Sequence, residues 1–180
     1  CMAIHKANNH GIEALQFLTK ESSVFSDKLH NYFAENSYDL VLSFYTKLFC
    51  GELVNTLCGK LVNFHPSILP ACPGMDGFGD TIKSGSQFIG ATAHFVDNGI
   101  DTGSPIIQCA FPFNPNYSLE KNRHSVFLGQ CKMIVQIINW YEEGRVFIND
   151  QGRPCIRNAK YLDGPFSPNL DFDLSINFKV

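Results

Sequence analysis

The chain has little charge. Asp, Glu, Lys and Arg make up 17% of its 180 residues, the net charge is −3, and no block of Lys or Arg stands out. A general affinity for nucleic acid or for an anionic membrane surface is therefore excluded as a working reading. Long apolar runs are also missing; the longest fall far short of the roughly 20 residues that span a bilayer. No basic-then-apolar leader is visible, so neither a signal peptide nor export is expected, and a cytoplasmic location is expected instead. Cysteine is present in odd number, seven in all, and no pair has the close spacing of a zinc site. Reduced thiols are expected, with neither a disulfide framework nor a bound metal. What the chain does have is apolar bulk: 44% hydrophobic residues, including 16 Phe. That is enough to build one core, and residues 1–180 are expected to form a single domain.

Periodicity gives the elements. Cys1–His5 is short and apolar and predicts a strand. Gly11–Glu21 predicts a helix with Ile12, Leu15 and Leu18 on one face. Ser26 is a candidate N-cap for a helix to about Asn36, with Asp27 in its first turn. Tyr38–Phe44 is a near-continuous apolar run, as for a strand buried on both faces. Gly51–Leu57 predicts a short helix closed by Gly59, and Lys60–Phe64 the next strand. A glycine-rich loop spans Pro66–Gly85. Phe88–Val96 and Ser104–Phe111 are further strands. Ser118 caps a long helix to Gly144 with an apolar stripe that includes Val126, Ile134, Ile137, Ile138 and Tyr141. Arg145–Asn158 reads as a hairpin turning at Asp150-Gln151-Gly152. Alternating helices and strands in the first half point to parallel βαβ units, so the fold class is α/β.

Polar residues sit where such sheets hold ligands, beyond strand ends. Asn63 and His65 are two apart on a strand and share a face; Pro66 and Pro70 stiffen the loop behind them. Thr92, His94 and Asp101 form a second polar set that can converge on the first. Asn, His and Asp together suit acyl or formyl transfer. An amide N–H and a protonated imidazole can donate to the oxyanion of a tetrahedral intermediate. A carboxylate can hold the charged imidazole and help receive the proton that an attacking amine must lose. With an amine as nucleophile, no Ser or Cys nucleophile is required. Spacing alone does not establish the trio. The same residue types also occur at strand ends for packing and hydrogen bonding, and Glu120–Arg123 reads as a solvated helix face.

"NFHPSILPACPG" followed by "GATAHFVDNGIDTGSPIIQ" resembles the folate-dependent formyltransferases, most of all those acting on glycinamide ribonucleotide. The likeness is strong over Tyr38–Gln108 and weaker elsewhere. It implies a Rossmann-like formyltransferase fold with a mostly parallel central sheet flanked by helices. It implies 10-formyltetrahydrofolate as co-substrate and a small-molecule amine as acceptor, with no nucleic-acid or membrane partner and a monomer or homodimer. Asn63 would hold the formyl oxygen, His65 would act as general acid, and Asp101 would pair with His65 and assist proton removal. The pterin would sit against the backbone of Thr46, Lys47, Leu48 and Phe49 and of the loop holding Val96, Asp97 and Asp101. Thr92 and His94 would support the site.

The sequence also departs from that family. The Gly/Ser-rich turn that binds the acceptor's phosphate is not found, and Cys1–His5 resembles the second strand of the fold, so the first strand–turn–helix unit is expected to be missing. Gln130 and Cys131 stand where relatives carry a Glu-His pair. The stretch after Pro73-Gly74 lacks histidines and an arginine found in some relatives. Three readings stay open on these grounds: formylation of glycinamide ribonucleotide in purine synthesis, formylation of a nucleotide-linked amino sugar, or a folate-binding homologue without turnover.

Overall fold

The computed structural model describes residues 2–171. In chain order the elements are α1 Met2–Asn9, α2 Ser22–Glu35, β1 Val41–Ser43, α3 Glu52–Thr56, β2 Leu61–His65 and α4 Gly77–Lys83. β3 Phe88–Phe95, β4 Pro105–Pro112, α5 Leu119–Glu142, β5 Val146–Ile148, β6 Pro154–Ile156 and β7 Phe166–Ser167 come next. β5 and β6 form the expected hairpin.

The fold is α/β, with a five-stranded sheet in the order β1-β2-β3-β4-β7. The sheet is mixed rather than mostly parallel. Among the described residues only β1 and β2 run parallel; the β2–β3, β3–β4 and β4–β7 pairings are antiparallel. The physical reason lies in the connections. A parallel pair needs a crossover, and α3 supplies one between β1 and β2, whereas the nine residues between β3 and β4 only turn the chain back.

The period of two sorts β2, β3 and β4 into an apolar and a polar face. Val62, Phe64, Ile89, Ala91, Ala93 and Ile107 enter the main core, where Val126, Met133, Ile137 and Trp140 of α5 cover them. A methyl on Gly129 would lie 2.7 Å from Cys109 Sγ, which shows how closely the helix lies on the sheet. The alternate positions are polar. Asn63 is registered with His94, His65 with Thr92, and Thr92 with Gln108. Leu53, Leu57 and Leu61 form a second, smaller core under α2.

Four expectations are corrected. Met2–His5 belongs to a helix, not a strand: two alanines and a lysine favour helix in a segment with no sheet partner, and none of its residues is buried. Gly11–Glu21 is not helical; Ile12 and Leu18 are 61% and 79% exposed, so the apolar stripe has nothing to pack against. α2 starts four residues before Ser26, which is buried and accepts a hydrogen bond from the Cys50 amide at 3.0 Å. The Pro66–Gly85 loop contains α4, whose N-cap Asp76 accepts from Gly79 N at 3.1 Å. Ser118 caps α5 as expected, accepting from Lys121 N at 3.1 Å; Ile138 of its stripe is exposed.

Candidate active site

The C-terminal end of β2 opens into a cleft of about 770 Å³. Four segments wall it: the 44–49 loop after β1, the turn at Gly74 and Met75, the 96–101 loop after β3, and part of α5. Asn63 and His65 both line it. The Asn63 amide makes no hydrogen bond among the described residues, so its donors remain available to a ligand.

His65 is held from both sides of its ring and is 4% exposed. Nε2 lies 2.8 Å from Cys72 O, and Nδ1 lies 3.3 Å from Asp101 Oδ2. A carbonyl and a carboxylate only accept, so both contacts are satisfied together when each ring nitrogen carries a proton. Gly77, the first residue of α4, closes the Nε2 side: a methyl there would lie 2.3 Å from Nε2. Ser67 Oγ donates to the same Cys72 carbonyl at 3.1 Å and to Ala71 O at 2.6 Å. The loop after Pro66 is thus tied down by side chains from its own motif.

Asp101 joins three parts of the site. Its Oδ2 also accepts from Gly74 N at 2.8 Å, and its Oδ1 lies 3.5 Å from His94 Nε2. Its φ is +53°, a left-handed conformation that Asp tolerates better than most residues. Asp97 folds the loop that presents it, accepting from Gly99 N at 3.0 Å and from Thr102 Oγ1 at 2.7 Å.

His94 is buried, with Nδ1 2.8 Å from Phe95 O, so Nδ1 carries the proton. Burial pushes its pKa below the usual histidine value, outweighing that backbone bond and the attraction of Asp101. It is therefore neutral near pH 7, and its approach to Asp101 is not an ion pair. Nε2 has no hydrogen-bond partner among the described residues. Thr92 is fully buried and does not reach the cleft. Its Oγ1 donates to Ser67 O at 2.8 Å and accepts from Leu69 N and Gln108 Nε2, both at 2.9 Å. It fastens the 66–70 loop onto the sheet.

Thr46, Lys47, Leu48, Phe49, Val96 and Asp97 all line the same cleft. The backbone amides of Thr46, Lys47 and Leu48 donate no hydrogen bond among the described residues. Free backbone amides beside an apolar wall fit a flat heteroaromatic ring with a polar edge. Among the described residues no group of three His, Cys, Asp or Glu could hold a metal ion, and no helix is long and apolar enough to cross a membrane.

Sequence reasoning missed one wall. Arg123 and His124 of α5 line the cleft beside Gln130, and Asn122 is buried with its amide on Asn114 O at 3.0 Å, while Glu120, Lys121 and Arg123 are exposed as a solvated face would be. The missed signal was helical spacing: 123, 127 and 130 fall on one side of α5.

The sequence matches the formyl transferase family over residues 3–138. It is 29% identical to the phosphoribosylglycinamide formyltransferase of Haemophilus influenzae over 184 residues, covering 96% of this chain and 84% of that one. It is 28% identical to the trifunctional purine biosynthetic protein adenosine-3 of Chironomus tentans, covering 82% of this chain but 12% of that much longer one. Among solved structures, glycinamide ribonucleotide transformylase 1 from Symbiobacterium toebii superposes with a TM-score of 0.76 at 27% identity, over 85% of this chain and 74% of that one. The family match runs from α1 almost to the end of α5 and takes in every wall of the cleft, and on that ground the chain belongs to the formyl transferase family.

Proposed function

We propose that this chain transfers a formyl group from 10-formyltetrahydrofolate to the amine of glycinamide ribonucleotide, a step of purine biosynthesis. The observation that carries the reading is the pairing of His65 with Asp101 at 3.3 Å next to the unpartnered Asn63 amide, in a member of this family. Two relatives with phosphoribosylglycinamide in their names, from Haemophilus influenzae and Bacillus subtilis, support the choice of acceptor.

The roles follow from donor directions. The amine attacks the formyl carbon, and the formyl oxygen becomes negative. Asn63 Nδ2–H and His65 donate to it. His65 Nε2 stays on Cys72 O, a short bond closed in by Gly77. Nδ1 is the nitrogen that serves the oxyanion, because 3.3 Å is long for a charge-assisted bond and leaves its proton free to swing from Asp101. Asp101 faces the imidazole and receives the amine's proton through water. As the carbon–nitrogen bond to the folate breaks, that proton goes to the departing N10, so the charges balance. His94 keeps a neutral lone pair beside Asp101, and Thr92 holds the loop behind His65.

The acceptor is tested by supplying the purified chain with 10-formyltetrahydrofolate and, in turn, glycinamide ribonucleotide or an amino-sugar nucleotide. Formylation of glycinamide ribonucleotide at least about a hundredfold more efficiently is the expected result, since a misfitted acceptor loses oriented binding. Preference for the amino sugar overturns the acceptor. Donor binding without any transfer overturns catalysis and leaves a folate-binding homologue.

A further inference from the structure

The 44–49 loop has no regular secondary structure, yet its amides at Thr46, Lys47 and Leu48 donate to nothing among the described residues and border the cleft. Free amides hold the edge of a ring well only where the backbone that carries them stands still. β1 fixes the start of the loop, where the Tyr45 amide donates to Ser43 Oγ at 3.1 Å. Its other end runs through Cys50 into Gly51, whose φ of +67° turns the chain into α3.

α2 grips that second end. Ser26, the fifth residue of α2, is 1% exposed. A serine inside a helix can turn its hydroxyl back onto the carbonyl four residues earlier. This one reaches out of its helix instead and accepts from the Cys50 amide at 3.0 Å. The hydroxyl proton points to Cys50 Sγ at 3.9 Å, and that thiol donates to Leu48 O at 3.8 Å. The sulfur contacts are weak, but they close a circuit from α2 to Leu48 itself. Three softer ties support it. The Tyr45 ring lies 4.9 Å from both Phe25 and Phe49, Tyr45 Oη donates to Ser22 Oγ at 3.4 Å, and Lys47 Nζ donates to Lys20 O at 3.0 Å from an exposed side chain. Of the ties from α2 and the residues before it, the Ser26 bond alone is short, buried and made to the loop's backbone.

We infer that Ser26 is a positioning residue for the formyl donor: by holding the Cys50 amide it sets the Thr46, Lys47 and Leu48 amides against the donor's ring, without lining the cleft itself. Asn63 and His65 stand on β2 and Asp101 on the loop after β3, so the effect of Ser26 falls on donor affinity and not on the chemical step. The identity of the donor rests on the formyl-transfer reading above.

The test is a calorimetric titration of 10-formyltetrahydrofolate, with no amine present, into wild type, Ser26→Cys and Ser26→Ala, followed by steady-state kinetics on the same three. Ser26→Cys keeps the size of the side chain and accepts more weakly; Ser26→Ala leaves the Cys50 amide without its acceptor. Donor affinity is expected to fall in the order wild type, Ser26→Cys, Ser26→Ala, by at least about tenfold at the end of the series. The donor KM rises in step, while kcat at saturating donor stays within about twofold of wild type. Ile137→Val, a truncation in the main core, lowers the thermal midpoint but keeps the wild-type donor KM, so a general loss of stability does not mimic the effect. Equal donor affinity across the series overturns the inference, as does a fall in kcat with donor affinity unchanged. Wild type that binds no 10-formyltetrahydrofolate overturns the donor reading and the inference with it; wild type that binds the donor as tightly as Ser26→Ala overturns the inference alone.

Discussion

Asp101 ties three parts of the site together: His65, His94 and the Gly74 amide all meet its two oxygens. In Asp101→Asn the shape is kept but the negative charge facing His65 Nδ1 is lost. Formyl transfer should fall by about 2–4 kcal/mol of transition-state stabilisation, read as kcat/KM, with folding unaffected in a denaturation curve. Near-normal turnover in that variant would make Asp101 a structural residue only. That Asn63, His65 and Asp101 come together at one cleft was legible in the sequence because two linked motifs carry them. Spacing alone did not separate them from strand-end residues that merely pack. Arg123 was not legible, because a charged residue in the first turns of a helix reads as solvated until the partner surface is known. The lone pair of His94 and the Gly74 amide bond were equally invisible, since both depend on loops that only tertiary structure closes.

Elements were readable where their own side chains decide them and misread where neighbours do. The capping Ser118 and the long apolar stripe announced α5, and Gly152 announced the hairpin. α4 was hidden in a loop full of glycine and proline, although Asp76 caps it. Its first residue has a role that helix propensity does not show. A methyl on Gly77 would lie 2.3 Å from His65 Nε2 and 3.2 Å from Cys72 O, so the imidazole would have to leave its bond. Gly77→Ala should therefore reduce kcat at least about tenfold through misplacement of the acid. Its thermal midpoint should move far less than that of a core truncation. Unchanged kcat would show that the Nε2 anchor is dispensable.

At the scale of the whole molecule, the α/β class followed from alternating elements, but strand direction did not. Whether β3 runs with or against β2 depends on the connection, and the sequence shows its length without its path. The other distant tie that escaped notice is Asp171. Its Oδ2 accepts from Arg145 at 2.6 Å, Trp140 Nε1 at 2.7 Å and Gln136 Nε2 at 3.0 Å, binding the segment after β7 to the end of α5. Partial burial pushes the Asp171 carboxyl up, yet the bonds from Arg145 and Trp140 outweigh it and hold the carboxyl below its ordinary range. A carboxylate depressed in the folded state stabilises above its unfolded pKa of about 3.9, and that stability is lost as pH falls through the lower folded value. Asp171→Asn should cost about 1–3 kcal/mol in urea titrations at pH 7, and the gap to wild type should narrow as the pH is taken well below 4. A gap that does not change with pH would remove Asp171 as a charged anchor.

The central claim is that His65 donates to a formyl oxygen that becomes negative. The direct measurement is the rate of formyl transfer from 10-formyltetrahydrofolate to glycinamide ribonucleotide by wild-type chain and by His65→Ala, at equal folded concentration. The account predicts turnover in wild type and a loss of at least about a hundredfold in the variant. Transfer that survives in His65→Ala within a fewfold would contradict it, and would move the acid to another group in the cleft.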